Sequence, residues 1–122
     1  MTYVLGGSNM TDSILNSIKE LILGHSEDTD FDTDLIIHIN TALSYLYQLG
    51  VGPKEGFEIT GPTETWSDLL ENEKALKMVL SYVYLKVKVM FDTPTGGVLT
   101  SYESQIKELE WRLTVFSSSE QT

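Results

Sequence analysis

Residues 75–92, ALKMVLSYVYLKVKVMFD, carry apolar side chains on nearly every side, and no turn residue interrupts them. Burying apolar surface is worth roughly 25 cal/mol per Å², so the chain must fold around this segment. Two geometries compete for it. Tyr82 to Met90 alternate and are β-branched, a pattern that reads as a strand. Leu76, Val79, Leu80, Val83, Val87 and Met90 also fit one face of a helix, and uninterrupted length favours that reading. Apolar residues on most sides suit the central helix of a small bundle.

The remaining segments supply partners for such a helix. Ile14, Leu15, Ile18, Leu21 and Ile22 form an amphipathic helical stripe, with Thr11 or Asp12 to cap its start and Gly24 to end it. Leu35, Ile36, Ile39, Leu43, Leu46 and Tyr47 repeat at the same period, with Gly50 as the stop. Residues 51–63, VGPKEGFEITGPT, are too rich in Gly and Pro for a helix and predict an extended loop or a short hairpin around Phe57-Glu58-Ile59. Thr63 or Thr65 then caps a brief helix through Trp66, Leu69 and Leu70. After the break DTPTGG, Thr100-Ser101-Tyr102-Glu103 has the capping-box pattern. Leu99, Tyr102, Ile106, Leu109, Leu113 and Phe116 follow as a heptad-like stripe, and Glu103–Lys107 and Glu108–Arg112 are i,i+4 ion pairs in the favourable order. The expected fold is all-α: a single small bundle of about four main helices plus a short one. Residues 11–116 form the domain. Residues 1–10 are expected as a flexible arm or an expression remnant, since Met10 offers a second start, and SSSEQT, 117–122, as a disordered tail.

Charge narrows the function. Eighteen acidic against eight basic residues give a net charge of −10, and no Lys/Arg cluster occurs. Such a chain has the wrong sign to grip nucleic acid through its phosphates, although it can stand beside DNA and repel it. The absence of cysteine removes disulfides, thiolate catalysis and Cys-ligated zinc, and fits an intracellular chain. No apolar run approaches the roughly 20 residues of a membrane span, and the first residues lack the features of a signal peptide.

EDTDFDTD, residues 27–34, looks at first like a calcium loop. Counted from Asp28, the sixth position is Thr33 and the twelfth Ile39; counted from Asp30, they are Leu35 and Thr41. Both frames lack the glycine and the bidentate glutamate that an EF-hand requires. A helix start fits better: Asp32 as N-cap, Asp34 in the first turn, and Phe31 and Ile36 as a hydrophobic staple. His25 and His38 have no metal-ligand spacing. No nucleophile elbow and no phosphate-binding loop occurs. The reading is a non-enzyme with no catalytic residue, metal or cofactor. Of the two tryptophans, Trp66 is expected to fill core. Trp111 lies off the last helix's stripe. If that stripe faces its own core, Trp111 becomes a contact with another subunit; packing within its own subunit and intersubunit packing of the whole helix are equal alternatives.

Short pieces in a fixed order carry a resemblance: Ile14-Leu15-x-x-Ile18-Lys19, Phe31-Asp32-x-Asp34-x-Ile36-x-His38-Ile39-Asn40, Gln48-Leu49-Gly50-Val51-Gly52, Trp66-x-Asp68, Tyr82-Val83-Tyr84-Leu85-Lys86-Val87, Phe91-Asp92-x-Pro94 and Ile106-x-Glu108-Leu109-Glu110-Trp111-Arg112-Leu113. Together they resemble the head–tail connector (adaptor) proteins of long-tailed bacteriophages and prophages, over residues 11 to about 115. The resemblance implies a helix for Tyr82–Phe91. It further implies assembly of the subunit with itself into a ring, commonly a dodecamer, beneath the portal protein of the filled head, with a stopper or tail-completion protein below. The packaged DNA would pass through without sequence-specific binding. It places the protein in the virion, and in the host cytoplasm during assembly, with no membrane. Like charge suits a channel wall along which DNA slides, and a ring needs two different patches per subunit. The family implies interface roles for Glu108, Trp111 and Arg112 towards the portal or a neighbour, and for Phe57 and Ile59 in the 51–63 loop towards the next ring. The reading from a different class is a small acidic helical regulator that binds a protein partner in the bacterial cytoplasm.

Overall fold

The computed structural model describes residues 9–120. The apolar stripes become α1 (Ile14–Leu23), α2 (Asp32–Gln48), the single-turn α3 (Trp66–Leu69), α4 (Leu76–Phe91) and α5 (Gly96–Glu120), with a 3₁₀ turn at Glu73–Ala75 leading into α4. No strand occurs among the described residues, and the fold is an all-α bundle. α4 is central: α2, α5 and α1 all pack on it, and Val79, Leu80, Tyr82, Val83, Leu85 and Val87 are buried around its circumference. The strand pattern of Tyr82–Met90 loses for a physical reason. No second apolar run is left to pair with it, and a lone buried strand would strand its N–H and C=O groups, whereas a helix satisfies its own.

Local chemistry explains most element ends, and corrects several expectations. α1 is capped by Ser13, not by Thr11 or Asp12: its Oγ accepts from the Asn16 N–H at 3.1 Å. Gly24 ends the helix with φ 86°, a left-handed conformation that costs glycine nothing. Asp12 is used elsewhere: its carboxylate accepts from the Asn9 N–H (2.7 Å) and its carbonyl from the Trp66 N–H (3.2 Å). The Met10 carbonyl accepts from the Ser67 N–H at 2.7 Å, so residues 9 and 10 are tied to the bundle. Of the expected N-terminal arm, residues 1–8 lie outside the described residues.

The N-cap of α2 is Phe31, with no side-chain cap bond, and Asp32 is the first helical residue. The Asp32 carboxylate instead meets the Lys19 ammonium of α1 at 2.8 Å, and Lys19 is only 2% exposed. With Phe31 itself at the N-cap, the N′ position of a staple falls on Asp30; the Phe31 ring meets Phe91 edge-on at 5.5 Å, and Phe91 in turn meets His38 at 6.4 Å. At the other end the Val51 N–H bonds to the Leu46 carbonyl and the Gly50 N–H to that of Tyr47, a Schellman closure around Gly50 at φ 89°.

α5 begins at Gly96, four residues before the capping-box pattern, so Thr100 lies inside the helix with its hydroxyl bonded to the Gly96 carbonyl. It also runs past the expected tail, to Glu120. Ser117 is buried, and its Oγ donates to the Leu49 carbonyl at 2.8 Å, closing the C-terminal end of α2. Serine-rich composition read as disorder, but one buried bond across the bundle holds these residues in the helix. Near the middle, the Tyr82 hydroxyl donates to Glu110 at 2.8 Å and joins α4 to α5. Burial first, and the neighbouring Glu110 carboxylate second, push that phenol far above its ordinary range.

Candidate assembly surface

α5 decides the orientation of Trp111. Its stripe turns inward: Ile106 and Leu113 are buried, and Tyr102, Leu109 and Phe116 pack against the core. At 100° per residue, Trp111 and Val115 project from the opposite side. Trp111 is 68% exposed, and Val115 is exposed beside it. The alternatives in which Trp111 packs within its own subunit, or α5 keeps its whole stripe for another chain, are both removed by this burial pattern.

Glu108 and Arg112 flank Trp111 on the outer face. They form the i,i+4 pair anticipated from spacing: guanidinium nitrogens lie 3.0 and 2.9 Å from Glu108 Oε2. The other anticipated pair, Glu103–Lys107, is not among the ion pairs of the described residues. Both members of the formed pair are more than half exposed, so its value lies in fixing the two side chains beside the indole rather than in stability. Glu108 and Arg112 also edge a shallow groove of about 370 Å³ where α5 lies against Ser81 and Leu85 of α4.

The 51–63 loop forms a second surface. It is not a hairpin but an extended coil laid against α2. Asn40 fixes it: its side-chain amide donates to the Ile59 carbonyl at 2.9 Å and accepts from the Ile59 N–H at 2.8 Å. That reciprocal pair mimics a strand contact from a side chain, and it presses Ile59 into the core at 1% exposure. Ile59 therefore has no side-chain surface to offer a partner, which corrects its expected interface role; it positions the loop. Phe57 stays half-exposed and, with Asn40, Ser44, Tyr47, Glu55 and Glu58, lines a groove of about 420 Å³ whose floor is Leu43. At the loop's far end, Glu64 accepts from both the N–H and the hydroxyl of Thr60. Burial would raise the Glu64 carboxyl, but these bonds and the nearby backbone N–H groups outweigh it and hold it below the ordinary range.

The trio on α5 and the aromatic groove on α2 share no lining residue, so the structure presents two surfaces and not one. Two residues of the groove escaped sequence reading. Tyr47 falls on the apolar repeat but is exposed, because the buried residues Leu35, Ile39, Ala42, Leu43 and Leu46 centre the inward side of α2 about a quarter-turn away from it. Asn40 left a detectable trace, a lone amide within an apolar helical repeat. Among the described residues no group of three His, Cys, Asp or Glu side chains is arranged to hold a metal ion. Two of the alternating acids are engaged within the protein: Asp32 with Lys19 of α1, and Asp28 with the Asp30 N–H at 2.8 Å.

A family model described as phage connector protein matches residues 14–120. The chain belongs to the phage connector protein family. No curated protein and no solved structure matches it. As a phage head–tail connector, it has a structural role in the virion. The matched span takes in every helix and both surfaces. No described helix of the connector is long and apolar enough to cross a membrane.

Asn40→Ala in this connector is expected to release the loop. Removing the amide leaves the Ile59 N–H and C=O without partners, at a cost of about 1–2 kcal/mol. Hydrogen exchange should then show lost protection at Ile59 while the α4 amides keep theirs; unchanged protection at Ile59 would mean the amide does not hold the loop.

Proposed function

We propose that this connector is the repeating subunit of a ring that joins the portal protein of the phage head to the stopper or tail-completion protein, and that the ring walls part of the DNA conduit. One observation carries the reading: in a family of virion connectors, the longest helix turns Trp111 and Val115 into solvent, opposite its own core stripe. Trp is enriched at the centres of protein interfaces, and here its own subunit leaves it uncovered. The net charge of −10 supports the conduit, since an acidic wall offers DNA phosphates nothing to hold. The protein works at the head–tail interface of the virion after assembly in the host cytoplasm, and DNA passes it without being read.

The test is capture by the portal protein of the same phage, with light scattering of the mixture and of the connector alone across concentration. The expected result is retention on the portal and growth towards a single closed oligomer. A fixed small oligomer that never binds the portal would favour a cytoplasmic regulator.

A further inference from the structure

A closed ring of identical subunits needs two different patches that fit each other, because a heterologous contact places one surface of each subunit on another surface of the next. α5 offers a convex edge: exposed Trp111 and Val115, with the Arg112 guanidinium beside them. The groove on α2 is its complement in shape and in charge. Tyr47 and Phe57 supply aromatic walls, Leu43 an apolar floor, and Glu55 and Glu58 an exposed acidic rim with no cation in the lining. Its volume of about 420 Å³ lies in the range that accepts a large aromatic group.

Among the described residues Lys54, Lys74, Lys77 and Lys107 are exposed and in no ion pair, whereas three other lysines are engaged within their own subunit. Lys19 is buried against Asp32, Lys88 is paired with Asp92, and Lys86 stands over the Tyr45 ring at 4.0 Å. On α5, Lys107 and Arg112 both lie within one turn of the exposed Trp111, and Arg112 also lies one turn before Val115. Its partner Glu108 lies on a solvent-facing turn, so exchange of that exposed pair for a carboxylate on a neighbour costs little.

We propose that the Trp111 edge of α5 seats in the Tyr47–Phe57 groove of a second copy of the connector, with Arg112 against Glu55 and Glu58. The contact is head to tail, so an open assembly keeps one free edge at one end and one free groove at the other until the ring closes. The inference rests on the ring reading above and names the surfaces that would build it.

The chain contains no cysteine, so engineered thiols report contacts cleanly. Ser44→Cys places one at the groove rim and Val115→Cys one beside the indole. Mixed and oxidised, alone at high concentration and on the portal protein, the two variants should form a mixed disulfide dimer in preference to either like pair. Trp111→Ala should weaken self-association about thirtyfold, the loss of a typical interface anchor. Glu55→Lys with Glu58→Lys should weaken it as well, and adding Arg112→Glu should restore part of that loss. Trp111 is exposed, so its replacement should leave the thermal transition unchanged and keep the assembly readout interpretable.

A preferred Val115→Cys homodimer would overturn the proposal in favour of two α5 helices packing face to face. Crosslinking of Ser44→Cys to the portal chain, and not to a second copy, would assign the groove to the portal and overturn it too. If rings form and bind the portal while the mixed crosslink is absent, this pairing fails and the ring reading stands. If neither rings nor portal binding occurs, the ring reading itself has failed.

Discussion

Asp32→Ala is expected to lower the unfolding free energy by about 3 kcal/mol, although Asp32 sits at the start of a helix where most capping substitutions cost about 1. The loss arises on α1. Lys19 is buried, with its ammonium 2.8 Å from the Asp32 carboxylate, and removing the acid leaves a charge in the core with nothing to compensate it. The carboxylate keeps part of its surface in water, which places the effect at the low end for buried pairs. Lys19→Met should cost less than Asp32→Ala, because it removes the fully buried charge and leaves the partner that keeps part of its surface in water. The double variant should recover most of what Asp32→Ala loses. Urea denaturation followed by circular dichroism measures all three. If Asp32→Ala costs as much in the Lys19→Met background as in the wild type, the aspartate acts through the helix end and not through the lysine.

Trp66→Ala should be the more damaging change, at about 4 kcal/mol, which corresponds to a melting temperature lower by more than 10 °C. Trp66 is fully buried although it belongs to a helix of one turn, and its indole N–H donates to Ser17 Oγ at 3.1 Å. Ser17 Oγ donates in turn to the Ser13 carbonyl, so the indole ties α3 to the first turn of α1. Ser17→Ala should cost about 1–2 kcal/mol by stranding the buried indole N–H. In a Trp66→Phe background the same change should cost much less, because no donor remains to be stranded. A double-mutant cycle reads the coupling; additive losses would show that Trp66 acts by volume alone.

Much of this fold was legible before any coordinates. Stripes at helical spacing placed α1, α2, α4 and α5, and Gly24 and Gly50 marked two stops because a left-handed residue is required there. Two of the three errors share a cause. Asp32, Thr100 and Ser117 were each assigned a local role, as a cap, a capping box and a tail, and in each case the residue's surroundings decided otherwise. Local capping energies are about 1 kcal/mol, so for Asp32 and Ser117 one partner from elsewhere in the chain overrides them, whereas Thr100 bonds the Gly96 carbonyl one turn back because the helix starts before the pattern.

The two surfaces divide in the same way. The sequence marked Trp111 as off the stripe, and Glu108 and Arg112 as a pair beside it, because spacing on a long helix fixes which residues share a side. It left open which side faced the core, since a heptad-like stripe buries equally well against its own bundle or a neighbour. Packing of Ile106 and Leu113 against α4 settled that and left Trp111 outside. The groove was not readable at all. It depends on Asn40 reaching across to Ile59, nineteen residues away in sequence, and on Tyr47 lying off the buried side of α2. What the sequence determined by itself was periodic: which segments are helices, which stretch lies at the centre, how acidic the surface is. The tertiary structure alone decided which residues meet across the bundle, because those contacts are set by where helices cross and not by any spacing along one of them.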